Sequence, residues 1–242
     1  MITLVVGASG KTGKQLVDQL LIAGQHVKVI VRLTSNIPER WENNQKVTVI
    51  RVSSLSNITV SEMTMYLKDC HAVASCLGHS LSFKGIYGAP RQLVTDTVQS
   101  LCQAILHNAP EKPLRFVLMN TAGNSNRNLN EPISFAQKIL IHLFRLLLPP
   151  HLDNENAADY LRSKIGKTNI AIEWVVVRPD SLTDTEIITG YHSHASPTRS
   201  ALFDPGQTSR INVAHFMCQL IVDEAVWNKW KGQMPVIYNS PN

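Results

Sequence analysis

Long apolar runs are missing from this chain, and so is any cluster of cysteines. The most apolar stretch, Ile133–Leu148, falls short of the roughly 20 residues that a membrane span requires. Within it Lys138, His142 and Arg145 fall at i, i+4 and i+7, one polar stripe on a helix. The reading is an amphipathic helix packed on the domain or at a subunit contact, with a membrane-surface helix the weaker alternative. The four cysteines, Cys70, Cys76, Cys102 and Cys218, make no C-x-x-C pair and no regular framework, so neither a zinc site nor a disulfide scaffold is indicated. Aromatics are only 6%, and the Lys and Arg behind the net charge of +5 are scattered without basic runs, which argues against a nucleic-acid surface. No signal peptide precedes the first strand pattern, so a cytoplasmic location is expected and Asn57-Ile58-Thr59 is read as a chance sequon.

Glycine is scarce too, with twelve in 242 residues, yet three of them fall within seven positions. Ile2-Thr3-Leu4-Val5-Val6 runs straight into Gly7-Ala8-Ser9-Gly10-Lys11-Thr12-Gly13. An apolar strand that breaks into glycines and then a helical pattern presents helix-terminal N–H groups to phosphate. A Walker A loop would need glycine at position 5, where the chain has Val5. A dinucleotide loop needs glycines for the tight turn, for close approach to the pyrophosphate and for helix packing. Gly7, Gly10 and Gly13 fill these places, in the spacing G-x-x-G-x-x-G rather than the commoner G-x-G-x-x-G.

Leu16, Val17, Leu20 and Leu21 then recur at helical spacing, Gly24 stands where a helix ends, and Val27–Val31 reads as a second buried strand. At the end of that strand an NAD enzyme usually offers an acid to the ribose, whereas an NADP enzyme offers Arg to the 2′-phosphate. Here the residue is Arg32, so NADP is the expected cofactor, and Lys11 adds a second positive charge nearby. The alternation continues with strands Val47–Val52, Ala72–Leu77, Arg115–Met119 and Glu173–Val177, and with helices Val60–Lys68, Arg91–His107, Asn154–Ile165 and Val213–Asp223. Such alternation predicts an α/β Rossmann fold, a doubly wound parallel sheet with helices on both faces. With 44% hydrophobic content the chain reads as one domain over 1–242, its substrate-facing portion at roughly 180–212.

Taken together, G-A-S-G-K-T-G, V-K-V-I-V-R, R-F-V-L-M-N-T-A-G, W-V-V-V-R-P-D and R-I-N-V-A-H-F resemble the atypical short-chain dehydrogenase/reductases. More narrowly, the chain is similar to the NAD(P)H-binding group that includes NmrA-like proteins and biliverdin/flavin reductase-like enzymes. The resemblance implies that Gly7, Ala8, Ser9, Gly10, Lys11, Thr12 and Gly13 lie along the pyrophosphate and Arg32 at the 2′-phosphate. It implies Leu77 and Gly78 along the ribose, with Arg178 and Pro179, followed by Asp180, near the nicotinamide. Ser53-Ser54 stands where the family often has an acid against adenine. Active members pair a Ser or Thr after the fifth strand with Tyr-x-x-x-Lys, which maps onto Thr121, Tyr160 and Lys164. Tyr160 would then be the acid, Lys164 its tuner, and Thr121 an orienting donor. The structural alternative for Tyr160 is a phenol that merely covers the core.

Other candidates carry less. His192 and His194 lack a third metal ligand at convincing spacing, His79 could reach the nicotinamide end as a proton donor, and Cys76 reads as a packed thiol. The expected function is NADPH-dependent hydride transfer to a small carbonyl, quinone or flavin-like acceptor. A non-catalytic NADP(H)-binding regulator and, behind it, a nucleotide-sugar epimerase or dehydratase are the alternatives. A homodimer is left open.

Overall fold

The structure, a computed structural model, describes residues 1–79, 86–129, 131, 140, 143–145 and 147–241. Its centre is an eight-stranded sheet in the order β3-β2-β1-β4-β5-β6-β10-β8. The strands are β1 (Ile2–Val6), β2 (His26–Arg32), β3 (Val47–Val52), β4 (Ala72–Ser75), β5 (Leu114–Met119), β6 (Ile172–Pro179), β8 (Tyr191–His194) and β10 (Val236–Asn239). All pair in parallel except the edge strand β8, which runs antiparallel to β10. Two short strands, β7 (Ser181–Thr183) and β9 (Gln207–Ser209), pair with each other outside this sheet.

The continuous apolar strands follow from burial on both faces. Leu4, Val6, Val73, Phe116, Leu118, Trp174 and Val176 point to one side, where they pack with residues of α3 (Val60–Leu67), α4 (Leu93–Asn108) and α5 (Pro149–Tyr160). Val5, Val29, Ala74, Val117, Val175 and Val177 point to the other, toward α1 (Lys11–Ile22), α6 (Arg210–Val222) and α7 (Glu224–Trp230). Between β2 and β3 a single turn, α2 (Glu39–Glu42), buries Trp41, whose indole N–H donates to Asp18 on α1 at 2.9 Å.

Local chemistry sets the helix ends. Gly24, at φ +75°, closes α1 where the sequence places its stop. Thr59 caps α3 reciprocally with Glu62, so the threonine of the Asn57-Ile58-Thr59 sequon has a structural use. Asn154–Ile165 divides differently from the expected helix: α5 begins at Pro149 and ends at Tyr160, and a π-turn covers Leu161–Ile165. Of the expected helix Ile133–Leu148, most positions lie outside the described residues, Lys138 and His142 among them. Among the described residues no helix is long and apolar enough to cross a membrane.

Arg178, on β6, ties the far half of the sheet together. It is fully buried and donates to the carbonyls of Met234, Asn124 and Ala195 and to the carboxylate of Glu131, 2.7 Å from Nη2. All its guanidinium nitrogens are thus engaged inside the protein. Its side chain has no donor left to offer a ligand, whatever its distance from the nicotinamide expected near it.

Removing one member of such a pair leaves a buried charge without its partner, which costs about 3–5 kcal/mol. Arg178→Met is therefore expected to lower the urea-unfolding free energy by that order, and Arg178→Met with Glu131→Leu to recover much of it. A single-variant loss below about 1 kcal/mol would show the pair to be dispensable.

Candidate functional site

The strand order reverses between β1 and β4, and in doubly wound sheets ligands bind beyond the carboxyl ends at such a switch. The chain turns there at Gly7, with φ +74°. A Cβ on Gly7 would lie 2.6 Å from the carbonyl carbon of Cys76 and 2.7 Å from the nitrogen of Leu77. No side chain fits between the two loops. A Cβ on Gly13, in the first turn of α1, would drive into the Gly7 carbonyl oxygen. Gly10 N–H donates to that same oxygen at 3.1 Å, and Gly10 brings no capping side chain to α1. The first amides of a twelve-residue helix are thereby left to a ligand, and the helix dipole favours an anion there.

The cleft in front of this loop measures about 520 Å³, within the range of small-molecule and cofactor sites. Gly7, Ser9, Gly10, Arg32, Leu77 and Gly78 line it together, so six of the residues singled out from the sequence meet in one place. Thr12 and Ala8 are buried beneath it. Ser54 lines the Arg32 side, where the sequence has no acid. Strands β2 and β4 flank β1, about 10 Å apart. Arg32 and the Leu77–His79 segment therefore stand on opposite sides of the glycine loop.

Lys11 is engaged elsewhere. Its Nζ lies 2.7 Å from Asp184, which also takes Arg210 at 2.7 Å. The Lys11 hydrogen bond is the main reason the Asp184 carboxyl is held below the usual range. These groups are exposed and screened by solvent, so the lysine is readily released. The contact brings Asp184, within the 180–212 portion expected to face substrate, onto Lys11 in the first turn of α1.

Thr121 stands just past β5, its hydroxyl oxygen accepting from Gly123 N–H at 3.3 Å. Its neighbour Asn120 is buried and donates to the Asn154 carbonyl, fixing the end of β5 to α5. Pro179 ends β6 with its carbonyl accepting from Ala122 N–H.

Neither Tyr160 nor Lys164, the pair that the resemblance implies for catalysis, is among the residues that line this cleft. Asp153, on α5, meets the first amides of α4, whereas Tyr160 lies seven residues, about 10 Å, further along the same helix. Tyr160 packs against the core, and burial, with Cys102 nearby, raises its pKa. That is opposite to the activation a catalytic phenol needs. Lys164 is exposed and falls in the π-turn, beyond the α-helical register.

The spacing argument missed Asp153. Its side chain is fully buried and accepts from Val94 N–H and Thr95 N–H, each at 2.9 Å. Its Oδ2 also lies 2.7 Å from His79 Nε2, and His79 lines the cleft. The two residues are 74 apart in sequence, so no local pattern could have joined them. Cys76 lines the cleft as a buried thiol pushed up to about 12 by desolvation, inert as expected of a packed cysteine. His192 and His194 lie on β8 with ring centroids 6.4 Å apart, and among the described residues no group of three His, Cys, Asp or Glu could hold a metal.

A family model described as NAD(P)H-binding matches residues 7–224. Among solved structures, an oxidoreductase from Lactococcus lactis superposes with a TM-score of 0.69 at 17% identity, covering 100% of this chain and 92% of that one. A short-chain dehydrogenase/reductase from Veillonella parvula in complex with NADP gives 0.70 at 15% identity, covering 100% and 95%. A candidate NADH-flavin reductase from Streptococcus pneumoniae gives 0.64 at 18% identity, covering 99% and 100%. At these identities the likeness is one of fold. No curated protein matches.

The backbone contact at Gly13 makes a direct test. Gly13→Ala is expected to weaken NADPH binding by about tenfold or more with the far-ultraviolet circular dichroism retained, since the loop must open to admit the methyl group. Gly10→Ala, whose Cβ would sit 3.3 Å from the Gly7 oxygen, is expected to lose less. Equal binding by Gly13→Ala and the wild type in a fluorescence titration would disprove the close-approach role.

Proposed function

We propose, from the premise that this chain belongs to the NAD(P)H-binding family, that it is an NADPH-dependent oxidoreductase that reduces a small carbonyl, quinone or flavin-like acceptor. The observation that carries the reading is the glycine cradle, where Gly7 and Gly13 admit no Cβ and the uncapped start of α1 opens into the cleft. When bound, the reduced cofactor supplies a hydride, two electrons with one proton. The protein's own groups bind and orient it. Backbone amides of Lys11, Thr12 and Gly13 would take the pyrophosphate, with Ala8, Ser9 and Gly10 shaping the turn. Leu77 and Gly78 would border the ribose on the β4 side.

Preference for the 2′-phosphate rests on Arg32. It ends β2, is exposed and lines the cleft beside Ser54. A guanidinium there favours a phosphate, and the acid that would bind a free 2′-hydroxyl is missing. The NADP complex of the Veillonella parvula neighbour agrees with this choice. The candidate NADH-flavin reductase neighbour agrees with a flavin-like acceptor.

A second reading, a cofactor-binding regulator without chemistry, is favoured by the position of Tyr160 and Lys164 away from the cleft. Turnover separates the two. The purified protein is expected to oxidise NADPH in the presence of a quinone, FMN or an aldehyde, and to do so faster than without acceptor. Failure of every acceptor, with NADPH still bound, would favour the regulator.

The cofactor choice has its own test. A charge-assisted hydrogen bond is worth about 1.5–3 kcal/mol, so NADPH is expected to bind roughly 10–100-fold tighter than NADH, and Arg32→Ala to erase most of the difference. Equal affinities in the wild type, or no change in the variant, would remove Arg32 from the site.

A further inference from the structure

We propose that His79 is the proton donor to the bound acceptor, with Asp153 as its positioning residue; the proposal rests on the oxidoreductase reading above. Four observations converge on this pair. His79 lines the cleft on the β4 side of the glycine loop, opposite Arg32. With the phosphates over α1 and the adenosine end toward β2, the β4 side is where the reacting end of a dinucleotide must lie. The imidazole is nearly enclosed, with its side chain 6% exposed, and Asp153 is wholly enclosed. Nε2 and the Asp153 carboxylate are 2.7 Å apart, which fixes the tautomer and ring orientation and balances the charge of the imidazolium form.

Asp153 is itself held in place. Each carboxylate oxygen accepts a backbone N–H at the start of α4, and Thr95 Oγ1 donates to the Asp153 carbonyl at 2.9 Å. A carboxylate so fixed does not swing, and neither does the ring it holds. With Nε2 facing Asp153, the proton passed to the acceptor oxygen is the one on Nδ1 of the imidazolium form. Hydrogen bonds that serve catalysis commonly form only in the loaded site.

The step balances. An acceptor carbonyl carbon gains the hydride from the reduced cofactor, the C=O electron pair moves to oxygen, and that oxygen takes the proton from His79 Nδ1. The carbonyl is reduced to an alcohol, the cofactor is oxidised, and the imidazole regains its proton from water. Other ionisable groups stand nearby. Asp96 on α4 is pushed up by burial and by Asp153, and Cys76 faces the same cleft as a thiol. His151 and Glu155 on α5 form a separate cluster with Arg145.

Two readouts test the pair. In the full-length protein without cofactor, NMR of ¹⁵N-labelled histidine is expected to show one ring, absent from His79→Gln, that keeps a hydrogen-bonded proton on Nε2 whether or not Nδ1 is also protonated, and Asp153→Asn to release that lock. With NADPH and an aldehyde, His79→Gln is expected to lower kcat by about 10²-fold while NADPH affinity stays within about threefold. The wild-type rate is expected to depend on pH, and the variant to lose that dependence. Should Asp153→Asn unfold, Asp153→Glu keeps the charge and is expected to retain part of the rate with an altered pH profile. An unlocked His79 ring in the wild type, or full rate and pH dependence in His79→Gln, would overturn the proposal. Wild-type protein that binds NADPH but reduces no acceptor would overturn it together with the oxidoreductase reading. Wild-type protein that binds no NADPH would instead overturn the cofactor site itself.

Discussion

The close approach of three stretches of backbone at the β1 carboxyl end is the constraint from which the site follows. Gly7 lies against the peptide between Cys76 and Leu77, and the first turn of α1 lies against Gly7 through Gly13. Only residues without a Cβ allow both contacts. They hold the helix start and the β4 loop at the mouth of one cleft, which is where an anionic ligand and a reacting acceptor can be bound side by side. The sheet holds these parts rigidly because its strands are buried on both faces, with helices packed on each side.

Polar groups fix what the glycines bring together. Asp153 links α5, the start of α4 and the β4 loop, while Asn120 fastens β5 to α5. On the far side of the sheet, Asn212 donates to Thr189 and to Asn239 and accepts from Thr189 N–H, which seats the segment between β7 and β9 on the body of the protein. Each buried donor or acceptor would be costly to leave unmatched, so these networks fix register as well as hold weight. Of the charged groups beside the loop, Arg32 is exposed and lines the cleft, while Lys11 is paired with Asp184 outside it.

The strands were legible because burial on both faces demands unbroken apolar runs, and β3 falls on Val47–Val52 in sequence reading and structure alike. The glycine loop was legible because its backbone geometry admits so few residues. Side-chain direction was not. Arg178 sits at a strand end, where a polar residue is expected to face a ligand, yet it turns inward to Glu131 and three carbonyls. Tyr160 and Lys164 have the right spacing along a helix, but spacing says nothing of how far along its axis the helix meets the sheet. Pro149 starts α5 five residues before the expected Asn154, with Tyr160 about 10 Å beyond Asp153. The edge strand β8 and the short helix α7 escaped notice because strands of four residues and helices of seven carry little periodicity.

A division of labour follows from this geometry. Cofactor recognition is borne mainly by backbone, since the loop amides and the glycine contacts depend on main-chain shape and tolerate wide change in the surrounding side chains. Chemistry toward an acceptor would instead need side chains, and the two that meet at the cleft wall, His79 after β4 and Asp153 on α5, come from separate parts of the chain. A fold shared at 15–18% identity with the neighbours above can therefore keep the first function while the second is rebuilt. In this chain it is His79, its Nε2 2.7 Å from the buried Asp153 carboxylate, that stands at the cleft wall, while Tyr160 does not line it.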